Sequence, residues 1–121
     1  MKKLIFLFLI LYSCIYSQGW NNYVQTSIPY SFHYQGGIDQ FTNKNGINIL
    51  VNSGYPSENL KYYLINTSGA IIRSYTFENQ EVLFSSIDGD NNNIYIIYLV
   101  ANTIKARRST NAGLSWISNR E

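Results

Sequence analysis

The chain has 121 residues, of which 45% are hydrophobic, 16% aromatic and only 13% charged. A formal net charge of +2 gives no electrostatic case for nucleic acid, and a single Cys excludes an intramolecular disulfide. The length allows one modest domain with a real core, and eleven Tyr, six Phe and abundant Asn and Ile favour strands and turns.

In chain order, the first segment stands apart from the fold. Lys2 and Lys3 precede an unbroken apolar run from Leu4 to Leu11, and Ser17 supplies a small residue at a cut site. That pattern predicts a secretory signal peptide over residues 1–17, with an apolar run too short to span a bilayer. The expected location is therefore outside the cytoplasm, secreted or at the cell surface of a bacterium. No transmembrane helix is expected in the mature chain. A second reading uses Cys14, because Leu11-Tyr12-Ser13-Cys14 resembles a bacterial lipobox and would give an acylated surface protein. Lys2 and Lys3 account for the excess positive charge: without them seven basic residues face seven acidic ones.

Residues 18–37 form an N-terminal segment with stray strand signals at Trp20–Val24 and Tyr30–Tyr34. From Ile38 the pattern is regular. The first repeat, residues 38–80, predicts strands at Ile38–Thr42, Ile47–Asn52, Leu60–Ile65 and Ala70–Phe77, divided by Asn- and Gly-rich turns. The second, residues 81–121, predicts strands at Val82–Ile87, Asn93–Val100 and Thr103–Ser109, and a fourth starting at Ser115. Asn45-Gly46-Ile47-Asn48-Ile49 aligns with Asn92-Asn93-Ile94-Tyr95-Ile96, Leu60-Lys61 with Ile104-Lys105, and Gly69 with Gly113. Ile72 then takes the place of Trp116.

The most specific stretch is Ser109-Thr110-Asn111-Ala112-Gly113-Leu114-Ser115-Trp116. An Asn side chain accepts backbone N–H bonds across a turn, Gly takes a positive φ without steric cost, and Trp supplies a large apolar plate. The spacing S-x-N-x-G-x-S-W resembles the Asp-box, or BNR repeat, S-x-D-x-G-x-T-W, of sialidase-like β-propellers. Asn111 replaces the usual Asp and Ser115 the usual Thr, so the oxygen acceptor and the hydroxyl are kept and the charge is lost. In that family the motif is a structural turn, so the resemblance implies a structural role for Ser109, Asn111, Gly113, Ser115 and Trp116. The repeat length is near the ~40–45 residues of a four-stranded blade. The expected fold is all-β: two consecutive four-stranded antiparallel propeller-blade-like sheets, an incomplete propeller, since about 4–8 blades close a ring. Further blades or other chains are needed to close it, and a fragment of a larger protein is expected.

The resemblance also implies what to look for as chemistry: an arginine cluster, and a tyrosine nucleophile with a glutamate partner. The F/Y-R-I-P motif that opens the family's catalytic domain is not present. Lys105 and Arg107 alternate with Ile104 and Ala106, which predicts a solvated outer face for the two cations, and Arg108 is expected at a bulge before the turn. His33 has no second His or Cys to complete a zinc site. Asp88-Gly89-Asp90-Asn91-Asn92 starts like a calcium loop, but Asn93 and Leu99 stand where its glycine and closing acid belong, so a polar hairpin turn is expected. Asn66-Thr67-Ser68 fits a glycosylation sequon and fits a turn equally well. Tyr62, Tyr63, Tyr75, Tyr95 and Tyr98 suit half-buried strands and also suit stacking on sugars. No catalytic, cofactor or metal residue is assigned. The expected function is a non-catalytic scaffold or binding module whose partner is a carbohydrate or another protein. The alternative is part of a sialidase-like glycoside hydrolase with its catalytic residues elsewhere.

Overall fold

The computed structural model describes Ile28 and residues 37–54 and 57–118. The signal peptide, Cys14, His33 and most of the 18–37 segment lie outside the described residues. Eight strands form where turn chemistry interrupts the β-prone runs: β1 (Gly37–Asn43), β2 (Gly46–Ser53), β3 (Asn59–Ile65), β4 (Ile71–Glu78), β5 (Phe84–Gly89), β6 (Ile94–Val100), β7 (Thr103–Ser109) and β8 (Ile117–Ser118). The first four make one antiparallel sheet in sequence order, and the last four make a second. No helix occurs among the described residues, and none there is long and apolar enough to cross a membrane.

The turns set the register. β6 and β7 are joined by Ala101-Asn102, both at positive φ (47° and 62°), closed by the pair Val100 and Thr103. Such a two-residue turn matches the right-handed twist of the strands it connects. It pairs Ile96 with Arg107 and Tyr98 with Lys105 and leaves no room for slippage. Arg108 pairs in step with Tyr95, so the bulge expected there does not form. The irregularities occur instead between β3 and β4, at Leu60/Lys61 and Leu64/Ile65.

The two sheets pack face to face. Residues opposite each other on neighbouring strands share a face. Leu50 and Tyr62 of the first sheet, with Leu60 and Leu64, meet Ile87, Ile94, Ile96, Tyr98 and Val100 of the second in one apolar cluster. β2 is buried on both sides. Its Ile49 and Val51, with Tyr63 and Ile65 of β3, form a separate cluster on the far face, with Ile28 against it. That double burial explains why Ile49, Leu50 and Val51 are apolar at consecutive positions rather than in alternation.

Two differences from the predicted strands have clear causes. Val82 precedes β5 rather than belonging to it. It plugs the core between the sheets, only 2% exposed, and its carbonyl accepts a bond from Asn52 Nδ2 at 2.7 Å. The last strand is two residues long and starts at Ile117, because Ser115 and Trp116 are taken up by the turn.

Polar seams line the contact between the sheets. Asp39 Oδ2 accepts from Ser86 Oγ at 2.7 Å and from the backbone N–H of Ile87 at 2.9 Å, capping a group on the free edge of β5. At the hairpin tips, Asn43 Nδ2 donates to the Asp90 carbonyl at 2.8 Å and Asn45 Nδ2 to the Asn91 carbonyl at 2.6 Å. Asp39→Ala removes two charge-assisted bonds from one seam, and is expected to lower stability by about 1–2 kcal/mol in urea denaturation.

Candidate functional site

Three features are candidates: the Asp-box-like turn, a polar cluster between the sheets, and the open face of the second sheet. The turn closes on itself through side chains. Ser109 Oγ, fully buried, donates to Asn111 Oδ1 at 2.9 Å and accepts the backbone N–H of Gly113 at 2.8 Å. Asn111 Oδ1 also accepts the N–H of Ser115 at 3.0 Å, and Asn111 Nδ2 donates to Ser115 Oγ at 2.9 Å. Having an amide rather than a carboxylate at Asn111 thus adds a donor, and Ser115 uses it.

The turn is also a clamp between the sheets. Gly113 has φ +79°, and a Cβ there would lie 2.8–3.0 Å from the Tyr62 ring of the first sheet. Arg73 Nη1 donates to the Ala112 carbonyl at 2.6 Å. Trp116 sits edge-on to Tyr62 and to Phe77, with ring centroids 5.1 and 4.9 Å away. Trp116 is half-buried rather than fully enclosed. Arg73, Tyr62 and Phe77 of the first sheet thus hold the turn in place.

The corresponding turn of the first repeat is only partly alike. Asn66 Oδ1 accepts the N–H groups of Ser68 and Ala70, and Gly69 has φ +84°. But Ile65 and Ile71 close a shorter hairpin than Arg108 and Ile117 do. Ile72 is half-exposed, so it does not take the part of Trp116.

The polar cluster corrects one expectation. Lys105 and Arg107 are not on a solvated outer face; they point between the sheets beside Tyr98 and Ile96. Lys105 Nζ bonds Glu78 Oε1 at 2.9 Å, the one ion pair among the described residues. Tyr98 O–H donates to the same oxygen at 2.9 Å and accepts from Arg107 Nε at 3.1 Å. Gln80 Nε2 donates to Glu78 Oε2 at 3.2 Å. Partial burial works to raise the Glu78 pKa, but the bonds from Lys105, Tyr98 and Gln80 outweigh it and hold the carboxyl below its ordinary value. Burial pushes the Tyr98 phenol up, against the opposing bond from Arg107. Tyrosine, glutamate and arginine are the residue types of a sialidase nucleophile, but Tyr98 has no exposed surface. A phenol that is enclosed, protonated and bonded on both sides meets no substrate.

Ile104 faces outward instead, and with it the outer face of the second sheet is left apolar and open. Phe84 is 56% exposed, Tyr95 50%, Ile97 45% and Ile104 66%. A shallow depression of about 200 Å³ crosses this face, with Ser86, Asp88, Tyr95, Ile97, Ala106 and Arg108 along it. The Arg108 guanidinium lies 5.5 Å from the Tyr95 ring centroid, a cation–π arrangement. Of the five tyrosines considered for sugar stacking, Tyr62, Tyr63 and Tyr98 are buried and only Tyr75 and Tyr95 present a ring to solvent. The Asp88–Asn92 stretch is a hairpin: Asp88 and Gly89 end β5, and Asp90 Oδ1 accepts the N–H groups of Asn92 and Asn93 at 2.8 Å. No group of three or more metal-ligating side chains occurs among the described residues. No family model matches the chain, and no curated protein or solved structure matches it.

Replacing Gly113 by Ala adds a strained φ and a collision with Tyr62, and is expected to cost at least about 1 kcal/mol. Trp116→Ala is expected to cost about 2–3 kcal/mol, below the ~3–5 of a fully enclosed Trp. Both are read from urea unfolding at neutral pH. Partial burial acts to raise the Asp39 pKa, and the bonds from Ser86, Ile87 and Gln40 bring it below the ordinary value instead. Asp39 and Glu78 therefore both contribute stability that is complete above the ordinary carboxylate range and is lost as pH falls through their lowered values. Unfolding free energy is expected to hold steady above about pH 5 and to fall below about pH 4, and Asp39→Asn with Glu78→Gln should flatten that fall. At neutral pH, Glu78→Ala should cost about 2 kcal/mol because it strands the Tyr98 hydroxyl, whereas Lys105→Ala should cost under about 1 because its ammonium is partly in water.

Proposed function

We propose that the chain is a non-catalytic scaffold or binding module of an exported, β-propeller-type bacterial protein. The observation that carries this reading is the way the two sheets meet. Each has four antiparallel strands in sequence order, and the third and fourth strands of the second sheet are joined by the Asp-box-like turn that clamps the first. Strand register supports it further. The row Asp39–Leu50–Tyr62 of the first sheet corresponds to the row Ser86–Ile97–Ala106 of the second. The first row is covered by the neighbouring sheet, and the second is open, which suits a module that joins another element on that side.

The alternative is part of a sialidase-like glycoside hydrolase whose catalytic residues lie outside this chain, and the Asp-box-like turn is what favours it. Incubation with a fluorogenic sialoside tests whether the chain itself is non-catalytic. No fluorophore release above buffer is expected; turnover lost on heat denaturation would sink the non-catalytic reading.

A further inference from the structure

The open face of the second sheet has a pattern of its own. Its outward residues lie in three rows across β5, β6 and β7: Phe84–Leu99–Ile104, Ser86–Ile97–Ala106, and Asp88–Tyr95–Arg108. Within each row the two flanks are alike or of opposite charge. The first has a large apolar residue on both sides, the second a small residue on both sides, and the third an acid on one side and a base on the other. Asp88 and Arg108 are two strands apart, about 9–10 Å across the sheet, and do not pair with each other within the chain. Among the described residues Asp88 Oδ1 accepts only the adjacent N–H of Gly89, while Arg108 rests over Tyr95 and reaches Asn93 Oδ1 at 3.3 Å.

We infer that a second copy of this chain covers this face, in a symmetric dimer whose twofold axis runs parallel to β6. Rotation about such an axis places β5 of each copy over β7 of the other with the rows unchanged. Phe84 then meets Ile104, Ser86 meets Ala106, and each Asp88 meets the other copy's Arg108, while Tyr95, Ile97 and Leu99 meet their own equivalents along the centre. A twofold perpendicular to the strands instead sets Asp88 against Phe84 and Arg108 against Ile104, burying both charges against apolar groups. The pattern thus selects one isologous arrangement. Face-to-face sheets at the usual ~10 Å spacing bring the two charges within reach of each other. The shallow middle row, with Ser86 and Ala106 on its flanks, leaves space for Ile97 of both copies.

This goes beyond the module reading, which leaves the partner open. The test is association of the full chain, measured by sedimentation velocity over about 1–100 μM. Wild type is expected to dimerise. Asp88→Arg and Arg108→Asp should each weaken association at least about tenfold by setting like charges together. An equimolar mixture of the two single variants should recover it, because both cross-dimer contacts are again of opposite charge. That recovery also separates this face from any association through the apolar run Leu4–Leu11. A monomeric wild type, swaps without effect, or a mixture of folded variants that stays apart overturns the inference. Should either charge variant lose its β circular-dichroism spectrum, Ala106→Trp obstructs the middle row sterically. That variant is expected to be monomeric, and undiminished association of it also overturns the inference.

Discussion

The apolar contact between the two sheets, centred on Leu50 and Tyr62 on one side and Ile96 and Tyr98 on the other, is what the rest of the structure depends on. A sheet has to cover an apolar face, and here each sheet covers one face of the other. The contact aligns the hairpin tips at Asn43–Asn45 and Asp90–Asn91, so that amide side chains of one tip reach the carbonyls of the other. It also puts the turn at Ser109–Trp116 against β3 and β4 of the first sheet. Gly113 is needed there because nothing larger than hydrogen fits over Tyr62, and because the backbone is left-handed at that point.

The contact is not purely apolar. Glu78, Lys105, Arg107 and Tyr98 lie along one rim of it, and their bonds form a single chain from Arg107 through Tyr98 to Glu78 and Lys105. A hydroxyl buried as deeply as that of Tyr98 is costly unless it is satisfied, and both of its roles are filled. Tyr62 is handled in the same way: its O–H donates to Asn48 Oδ1 at 2.7 Å, and burial pushes its pKa to about 12. Both phenols are therefore protonated structural groups. The network that most resembles catalytic machinery is instead the means by which a charged rim is tolerated beside a core.

The cost of turning Lys105 and Arg107 inward appears on the other side of β7. Ile104 goes out, beside Phe84, Tyr95 and Ile97, and the second sheet is left with an apolar outer face. The equivalent face of the first sheet, by strand register, is the one buried against the second sheet. The two repeats thus share a pattern of faces and differ in whether the face is covered. Asp88 and Arg108 at the end of this face, unpaired with each other, make it selective rather than merely adhesive.

The amino-acid sequence by itself determined the strands and most of their boundaries. Each alternating run is bounded by Asn, Asp or Gly turns, and those signals are local. It also determined the repeat, and the side-chain-tied turn at Ser109–Trp116, because Ser, Asn and Gly act on backbone groups only a few residues away. Which face of β7 turns inward was decided only by the tertiary structure. Alternation separates Lys105 and Arg107 from Ile104 and Ala106 but does not say which set meets the other sheet. Hydrophobicity alone favours Ile104 inside. The Ala101-Asn102 turn overrules it by fixing Tyr98 opposite Lys105 and Ile96 opposite Arg107, so the bulky inner set of β6 carries the cations with it. Glu78, remote in sequence, makes that placement tolerable. Val82 and Trp116 follow the same rule: each owes its burial to residues of the other sheet, and no local pattern contains that information.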